Sequence, residues 1–209
     1  MESGGQVGSG GQVQVWRADG FRVMPWRNGG GVSHEIATWP PHAGLADFDW
    51  RISLADVAAG RPFSQFEGVD RVIVLLEGTS MLLRVDGRPH RLGPAEPLRF
   101  SGDSTTTCEL PDGPTRDLNV MTRRGRVTCA VAVLEPVGPV EVAGAQEGEV
   151  VVLFVLAGRA MVAKDDAPPV TLGRHDAGQV GGPGRLSLTG PARVVVIRLD
   201  SNTARHRAT

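Results

Sequence analysis

The sequence predicts an all-β protein built from two tandem barrels, and three observations carry this prediction. Glycine and proline account for 28 and 15 of the 209 residues, and they divide the chain into short segments. Most of these segments have the length and the β-branched composition of strands, and few have the 3.6-residue period of a helix. In addition, one strand–turn–strand unit occurs twice along the chain.

The repeated unit is found by shifting the sequence by 80 residues. Residues 72–93, VIVLLEGTSMLLRVDGRPHRLG, then align without a gap with residues 152–173, VLFVLAGRAMVAKDDAPPVTLG, and eight of 22 positions are identical. The identities include Gly78 with Gly158, at the first turn. A duplicated unit of this kind predicts two barrels of similar construction. We expect the domains to span residues 13–125 and 126–200, with a disordered tail at 1–12 and a polar tail at 201–209.

The repeated pattern of strand, glycine, strand, turn and Leu-Gly resembles the cupin superfamily, whose jelly-roll barrels often occur in tandem. The resemblance implies a bicupin, in which two jelly-roll β-barrels pack together. Cupins commonly bind a metal through Gly-x5-His-x-His-x3–4-Glu and a later histidine. Neither Gly78 nor Gly158 is followed by His-x-His, and the five histidines lie at no ligand spacing. We therefore predict no metal and no cofactor.

Charge and cysteine content restrict the partners and the compartment. The chain has 22 Lys and Arg against 23 Asp and Glu, so electrostatics favours neither nucleic acid nor an anionic membrane as partner. The sequence contains no run of about 18 apolar residues, the length that a membrane-spanning helix needs. The first residues also lack the apolar run of a signal peptide. Cys108 and Cys129 lie in predicted strands, which favours buried reduced thiols and a cytoplasmic location.

The stretch MPWRNGGGVSHEI, residues 24–36, places three glycines after an asparagine. It lacks the Lys and Ser/Thr of a phosphate loop, and it lacks the Gly-x-Gly-x-x-Gly of a dinucleotide site. Asn28-Gly29 is a strong hairpin-turn signal. That turn needs neither Gly30 nor Gly31, and extra glycines in a strand often mark a bulge or a close approach. Two interpretations remain: a turn alone, or a turn against which a ligand lies.

Three predicted strands carry polar residues on one face. Alternation places Ser33 with Glu35, Arg51 with Ser53, and Asp117 with Asn119 and Met121, each set opposite a face with mostly apolar residues. These faces either meet solvent or line a polar barrel interior. An interior of that kind would surround a small polar ligand, and an arginine would grip a carboxylate with two hydrogen bonds.

Five stretches are together similar to the HutD/Ves family: MPWRNGGGVSHEIA, FDWRISLADV, FSQFEGVDRVIVLLEG, EPLRFSGD and RDLNVMTRRG. The similarity covers about residues 13–200. It implies a metal-independent bicupin associated with bacterial histidine utilisation, which binds N-formyl-L-glutamate or a similar short carboxylate and acts as a regulator rather than as a pathway enzyme.

The family motifs, carried onto this chain, imply a set of ligand-binding residues: Trp26, Asn28, Gly30, Glu35, Arg51, Ser53, Phe63, Arg71, Asp117, Asn119 and Met121. In this scheme Arg51 or Arg71 pairs with a carboxylate, and Asp117 orients an arginine. Asn28, Asn119 and the backbone N–H groups of Gly29–Gly31 bind the formyl or amide oxygen. The chain has Ser33-His34-Glu35 where the family commonly has Thr-Arg-Glu, which removes a cation at position 34.

The alternative function is a metal-free cupin enzyme, an isomerase or a hydrolase that acts on a small carboxylic acid. It would require an acid–base group in the cavity, and Glu35 and Asp117 are the candidates. No Ser-His-Asp arrangement is evident, so we assign no catalytic residue and favour a binding protein over an enzyme. A third interpretation is that the protein acts through partner contacts, and a homodimer remains open.

Overall fold

The computed structural model describes residues 12–26 and 29–201. Of the predicted tails, 1–12 and 201–209, only Gln12 and Ser201 fall within these ranges. A 3-10 turn spans Ala18–Gly20. The strands of the described residues are β1 (Gln14–Trp16), β2 (Arg22–Pro25), β3 (Gly31–Trp39), β4 (Trp50–Val57), β5 (Val69–Glu77), β6 (Met81–Val85), β7 (Arg88–Leu92), β8 (Pro97–Ser101), β9 (Thr106–Glu109), β10 (Thr115–Arg123), β11 (Thr128–Leu134), β12 (Val140–Ala143), β13 (Glu149–Gly158), β14 (Ala160–Lys164), β15 (Val170–Leu172), β16 (Ala177–Gly181), β17 (Arg185–Thr189) and β18 (Ala192–Asp200).

The chain divides into two compact units, and the all-β prediction is confirmed. We call residues Phe21–Arg126 the pocket unit; the C-terminal unit begins at Val127 and, of the described residues, also includes 12–20. The sequence assigned residues 13–20 to the first barrel. They belong instead with the C-terminal unit, because β1 pairs antiparallel along β16 in that unit. Within the described residues, no helix is long and apolar enough to cross a membrane.

The pocket unit consists of two antiparallel sheets. The larger sheet has the strand order β2-β3-β4-β10-β5-β8, and the smaller sheet has the order β7-β6-β9. Alternate residues of the strands point inward, and an apolar cluster around Ile73, Leu75, Met81 and Leu83 fills one part of the interior. The remaining part is polar, and it holds the candidate site.

The C-terminal unit repeats this construction with a different interior. Its sheets have the orders β1-β16-β13-β18-β11 and β12-β17-β14-β15. Valine and leucine side chains, among them Val151, Leu153, Leu172 and Leu186, form its core, and each of these is at most 1% exposed. The core of this unit is therefore mostly apolar.

The sequence repeat corresponds to β5–β7 in the pocket unit and β13–β15 in the C-terminal unit. Gly78 and Gly158 end the first strand of each copy with φ values of 102° and 77°. A Cβ on Gly78 would lie 2.7 Å from the Thr115 side chain, and one on Gly158 would lie 2.0 Å from the Pro191 carbonyl oxygen. Glycine is therefore required at both positions for two reasons: the backbone is left-handed, and a neighbouring residue lies too close to leave room for a Cβ.

Candidate ligand-binding site

A cavity of about 390 Å³ lies in the pocket unit against the inner face of the larger sheet. Five strands of that sheet, β2, β3, β4, β5 and β10, contribute side chains to its wall, and the loop between β4 and β5 contributes others. Seven of the residues predicted from the sequence line this cavity: Trp26, Arg51, Phe63, Arg71, Asp117, Asn119 and Met121.

The strand register explains why these residues meet. Met121 on β10 is paired with Arg51 on β4 and with Arg71 on β5, so the two arginines flank it in one row. Two residues along the strand, Asn119 is paired with Ser53 and Ile73; two further along, Asp117 is paired with Ala55 and Leu75. The polar strand faces therefore line an interior and do not meet solvent.

Arg51 is already neutralised by Glu35. Its Nε donates to Glu35 Oε2 at 2.8 Å, and its Nη1 donates to Ser53 Oγ at 3.1 Å. Arg22 also donates to the second oxygen of Glu35, at 2.8 Å. Glu35 and Ser53 do not themselves line the cavity, and their contacts show that they fix the position of the Arg51 side chain.

Arg71 has no comparable partner. Its Nη2 and Nε donate to Asn119 Oδ1 at 2.8 and 3.3 Å, and among the described residues no carboxylate oxygen lies within 4.0 Å of its nitrogens. Three phenylalanine rings surround the guanidinium at 5.0–5.7 Å, those of Phe63, Phe66 and Phe100. Burial lowers the pKa of Arg71 to about 10, against a smaller upward effect of Asp117. Arg71 is thus a buried cation at a cavity wall that no carboxylate neutralises.

Asp117 forms the deepest polar group of the wall and is completely buried. Its Oδ1 accepts a hydrogen bond from Asn119 Nδ2 at 2.9 Å, while Oδ2 has no partner among the described residues. Burial raises the pKa of Asp117 to about 7, against the lowering effects of the Asn119 hydrogen bond and the Arg71 charge. The flanking Ala55 and Leu75 explain the poor solvation of this carboxyl.

Trp26 forms a wall whose position is fixed by two features. Its indole N–H donates to Ser33 Oγ at 2.7 Å. Gly31 lies directly beneath the ring, because a Cβ at that position would be 3.1 Å from the indole and 2.3 Å from the Asp56 carbonyl oxygen. The glycine-rich stretch therefore forms a turn and also leaves room for another group to pack against its backbone. That group is the side chain of Trp26 and not a ligand.

For Asp117, Gly29 and Gly30, the contacts in the structure differ from those expected from the sequence. Asp117 contacts Asn119 and not an arginine, so any orienting effect on Arg71 passes through the Asn119 amide. The N–H of Gly29 donates to the Trp26 carbonyl oxygen, which removes it as a donor to a formyl group. Gly30 is buried outside the cavity wall, and its carbonyl accepts from Ala58 N–H. Asn28 lies outside the described residues.

Several lining residues were not predicted from the sequence. Leu45 comes from the loop before β4, whereas Pro62, Ser64 and Phe66 come from the loop between β4 and β5. Neither loop has a strand period, so no pattern indicated which of its side chains point inward. The stretch FSQFEG, which contains Phe63, was nevertheless a usable indication, because Phe66 lies in the same six residues.

His34 lies on the outer face of the larger sheet, as its parity predicts. Its Nε2 is 2.8 Å from Asp56 Oδ2, and Arg116 also hydrogen-bonds this carboxylate. The Arg116 hydrogen bond is the main cause of the lowered pKa of Asp56. Position 34 therefore belongs to a surface ion cluster and takes no part in the cavity. Among residues 12–26 and 29–201, no group of three or more His, Cys, Asp or Glu side chains is placed to hold a metal ion.

The fold and the site define a cupin-fold protein with an arginine-lined cavity in one of its two units. The chain belongs to the HutD family, whose family model matches residues 18–196. A solved structure of HutD from Pseudomonas fluorescens SBW25, in a formate condition, is 34% identical with a TM-score of 0.80; the match covers 91% of this chain and 100% of that one. A conserved protein of unknown function from Pseudomonas aeruginosa PAO1 matches at 34% identity and a TM-score of 0.85 with the same coverage.

Two curated relatives align with only part of the chain. An uncharacterised 21.2 kDa protein from the hutC 3′ region of Pseudomonas putida is 44% identical over 111 residues, 53% of this chain and 58% of that protein. Protein Ves of Citrobacter koseri is 43% identical over 120 residues, 55% of this chain and 62% of that protein. Structures at 7–10% identity, Ylba of Escherichia coli and an oxalate decarboxylase of Lactobacillus farciminis, with TM-scores of 0.70 and 0.64, support the cupin fold alone.

Proposed function

We propose that this protein is a metal-independent binding protein linked to the regulation of histidine utilisation, and that its cavity binds a short carboxylate such as N-formyl-L-glutamate. One observation carries the proposal: Arg71 is a buried cation at the cavity wall, and no carboxylate of the described residues pairs with it. An unpaired buried charge is costly, and a ligand carboxylate would neutralise it.

The rest of the cavity suits a small acid. Arg51 lies in the same row as Arg71 but is neutralised by Glu35, so it would offer hydrogen bonds without a net charge. The rings of Trp26, Phe63 and Phe66 provide apolar walls for a short carbon chain. A volume of about 390 Å³ is within the range typical of small-molecule sites. The link to histidine utilisation rests on family membership and on the hutC-region relative.

The test compares four carboxylates by thermal melting and calorimetry on metal-stripped protein: N-formyl-L-glutamate, L-glutamate, urocanate and formate. A ligand present at about 100 times its Kd stabilises by about 2.7 kcal/mol, which corresponds to a rise in Tm of roughly 5–10 °C. We expect Arg71→Met to abolish that rise. Arg84→Met, which removes an exposed arginine paired with Glu109, should retain it. If no compound shifts the wild-type Tm, or if Arg71→Met still responds, carboxylate binding at this site is refuted.

A metal-free enzyme is the second candidate, and Asp117 is the observation that favours it. A cavity carboxyl whose pKa is about 7 can give and take protons near neutral pH. This candidate requires turnover of a bound acid, which proton NMR of ligand mixtures would detect over hours. Turnover by the wild-type protein that is lost in Asp117→Asn would establish that the protein is an enzyme. Binding without turnover would support the binding-protein proposal.

A further inference from the structure

Arg71, Asn119 and Asp117 form a continuous chain of hydrogen bonds along the cavity wall. The Asn119 amide accepts from Arg71 through Oδ1, at 2.8 Å, and donates to Asp117 through Nδ2, at 2.9 Å. The amide therefore has a fixed orientation, with its oxygen toward the cation and its N–H toward the acid. Asp117 Oδ1 receives that single hydrogen bond, and Oδ2 has none among the described residues. A buried carboxylate held by only one donor is poorly stabilised in its charged form.

Asp117, when ionised, acts on Arg71 through space without contacting it. Arg51 is paired with Glu35 through a 2.8 Å contact. Arg71 contacts no carboxylate of the described residues, and the negative charge that acts on it most from the cavity wall is that of Asp117. A ligand carboxylate that approaches Arg71 would therefore add a negative charge near an existing one. In a buried site, two carboxylates near one cation cannot both remain ionised without a cost.

We propose that a carboxylate binds at Arg71 together with one proton from solvent, which the Asp117 carboxyl takes up. The inference rests on the proposed carboxylate-binding function and assigns to Asp117 a part in it. The proton adds to Oδ2, the oxygen without a hydrogen bond, while Oδ1 continues to accept from Asn119. Asp117 is thus a specificity-determining residue, which makes the cavity favour anions over neutral molecules most strongly when it is protonated.

Two of the groups near Asp117 keep their protons between pH 6 and 8.5. Arg71 on β5 keeps its proton with a pKa of about 10, and Cys108 on β9 keeps its proton because burial raises its pKa to about 12. Arg51 on β4 and Glu35 on β3 are the other charged groups near this wall, and they form an ion pair with each other. Asp117, with a pKa of about 7, titrates within this interval.

The experiment measures proton uptake directly. N-formyl-L-glutamate, and separately formate, is titrated calorimetrically into wild-type protein at pH 7.5 in HEPES and in Tris, whose ionisation enthalpies differ. We expect the apparent binding enthalpy to depend on the buffer, with uptake of up to one proton. We also expect affinity to fall above pH 7, approaching about tenfold per pH unit, the limit for one linked proton. Asp117→Asn should show no uptake and an affinity that is constant from pH 6 to 8.5.

Asp103→Asn is the matched control. Asp103 lies just after β8 in the same unit, and hydrogen bonds from the Gly68 N–H and the Ser101 hydroxyl lower its pKa to about 2, so it stays ionised throughout. This variant should retain both the proton uptake and the pH dependence. If Asp117→Asn does not fold, the carboxyl pKa of Asp117 can be followed by carbon-13 NMR in wild-type protein, and it should rise on addition of the ligand.

The outcomes separate the two proposals. Binding without proton uptake, or an Asp117 pKa that does not change with ligand, overturns the coupling and leaves carboxylate binding in place. Proton uptake that persists in folded Asp117→Asn shows that another group takes the proton, and it also overturns the inference. If neither compound binds at any pH from 6 to 8.5, the proposed function fails, and the coupling fails with it.

Discussion

Arg71 Nη2 donates to Asn119 Oδ1 at 2.8 Å, so a neutral amide occupies the place where a buried arginine usually has a carboxylate. The amide satisfies hydrogen bonds but supplies no charge. A carboxylate at position 119 would supply the charge that we assign to the ligand. The pair therefore offers a direct way to test whether the cavity needs an external anion.

Asn119→Asp should abolish carboxylate binding while the protein remains folded. The new side chain is nearly the same size and would pair with Arg71, so the cation would be neutralised from within the protein. We expect the affinity for N-formyl-L-glutamate to fall at least tenfold, measured by calorimetry at pH 7, with a circular dichroism spectrum like that of wild type.

Asn119→Ala is the informative comparison for that change. It removes the hydrogen bonds to Arg71 and Asp117 but adds no carboxylate, so Arg71 stays without a counter-charge. We expect it to lower Tm, because buried groups that lose partners cost about 1–3 kcal/mol each, and to keep more affinity than Asn119→Asp. Equal affinity in the two variants would contradict the role given to the Arg71 charge.

Stability should depend on pH through Asp117. The pKa of this carboxyl is about 7 in the folded protein and near its ordinary value of 3.8 when unfolded. The folded state therefore binds more protons between these values, and the free energy of unfolding falls as pH rises from about 4 to 7. Asp117→Asn removes this loss, so its Tm relative to wild type should be higher at pH 8 than at pH 5. Differential scanning calorimetry at the two pH values measures this; an unchanged difference would show that Asp117 is not protonated in the fold.

The residues that could be predicted from the sequence are those on strands. Alternation placed Arg51 on the polar face of one strand and Asp117, Asn119 and Met121 on the polar face of another, and the pairing of β4 with β10 brings these two faces together. Whether these faces point to the barrel interior or to solvent depends on where the second sheet packs, and no local sequence pattern gives that position. Sequence likewise could not tell Arg51 from Arg71 as the unpaired cation, since that depends on Glu35 reaching Arg51 across β3 and β4.

The domain boundary at the N-terminus illustrates a second limit. Residues 13–20 precede the first barrel in sequence, and proximity along the chain favoured assigning them to it. The structure pairs Gln14–Trp16 with β16, about 160 positions away. The hydrogen bond from Arg17 to Asp176, at 2.6 Å, fixes the segment there. A three-residue strand carries too little pattern to specify so distant a partner.

Gly31→Ala should destabilise the pocket unit and displace Trp26. An added Cβ would lie 2.3 Å from the Asp56 carbonyl oxygen, which is backbone and cannot move freely. We expect a loss of about 1–3 kcal/mol, or a fall in Tm of roughly 2–12 °C, together with weaker carboxylate binding. Gly20→Ala, where an added Cβ meets nothing within 4 Å, is the control and should leave both unchanged. A Gly31→Ala protein with wild-type Tm would show that the close approach at β3 is not required.

Glu35→Gln should change which acids the cavity prefers. Glu35 accepts from Arg51 and from Arg22, both at 2.8 Å, and it cancels the Arg51 charge. Replacing its carboxylate with an amide leaves Arg51 and Arg71 as two cations in the same row of the wall. Affinity for dicarboxylates should therefore rise relative to monocarboxylates. Competition calorimetry with glutarate and butyrate, which share a short carbon chain and differ in charge, measures that ratio at pH 7.5.

The Glu35→Gln protein should also be less stable than wild type, because breaking a largely buried ion pair leaves the charge of Arg51 uncompensated. A Tm lower than that of wild type, combined with a several-fold increase in the glutarate-to-butyrate ratio, is the expected pair of results. Glu109→Gln, at an exposed pair with Arg84, is the matched control and should change neither quantity. If Glu35→Gln lowers Tm but leaves the ratio unchanged, Arg51 does not contact the ligand, and Arg71 alone determines the charge preference of the cavity.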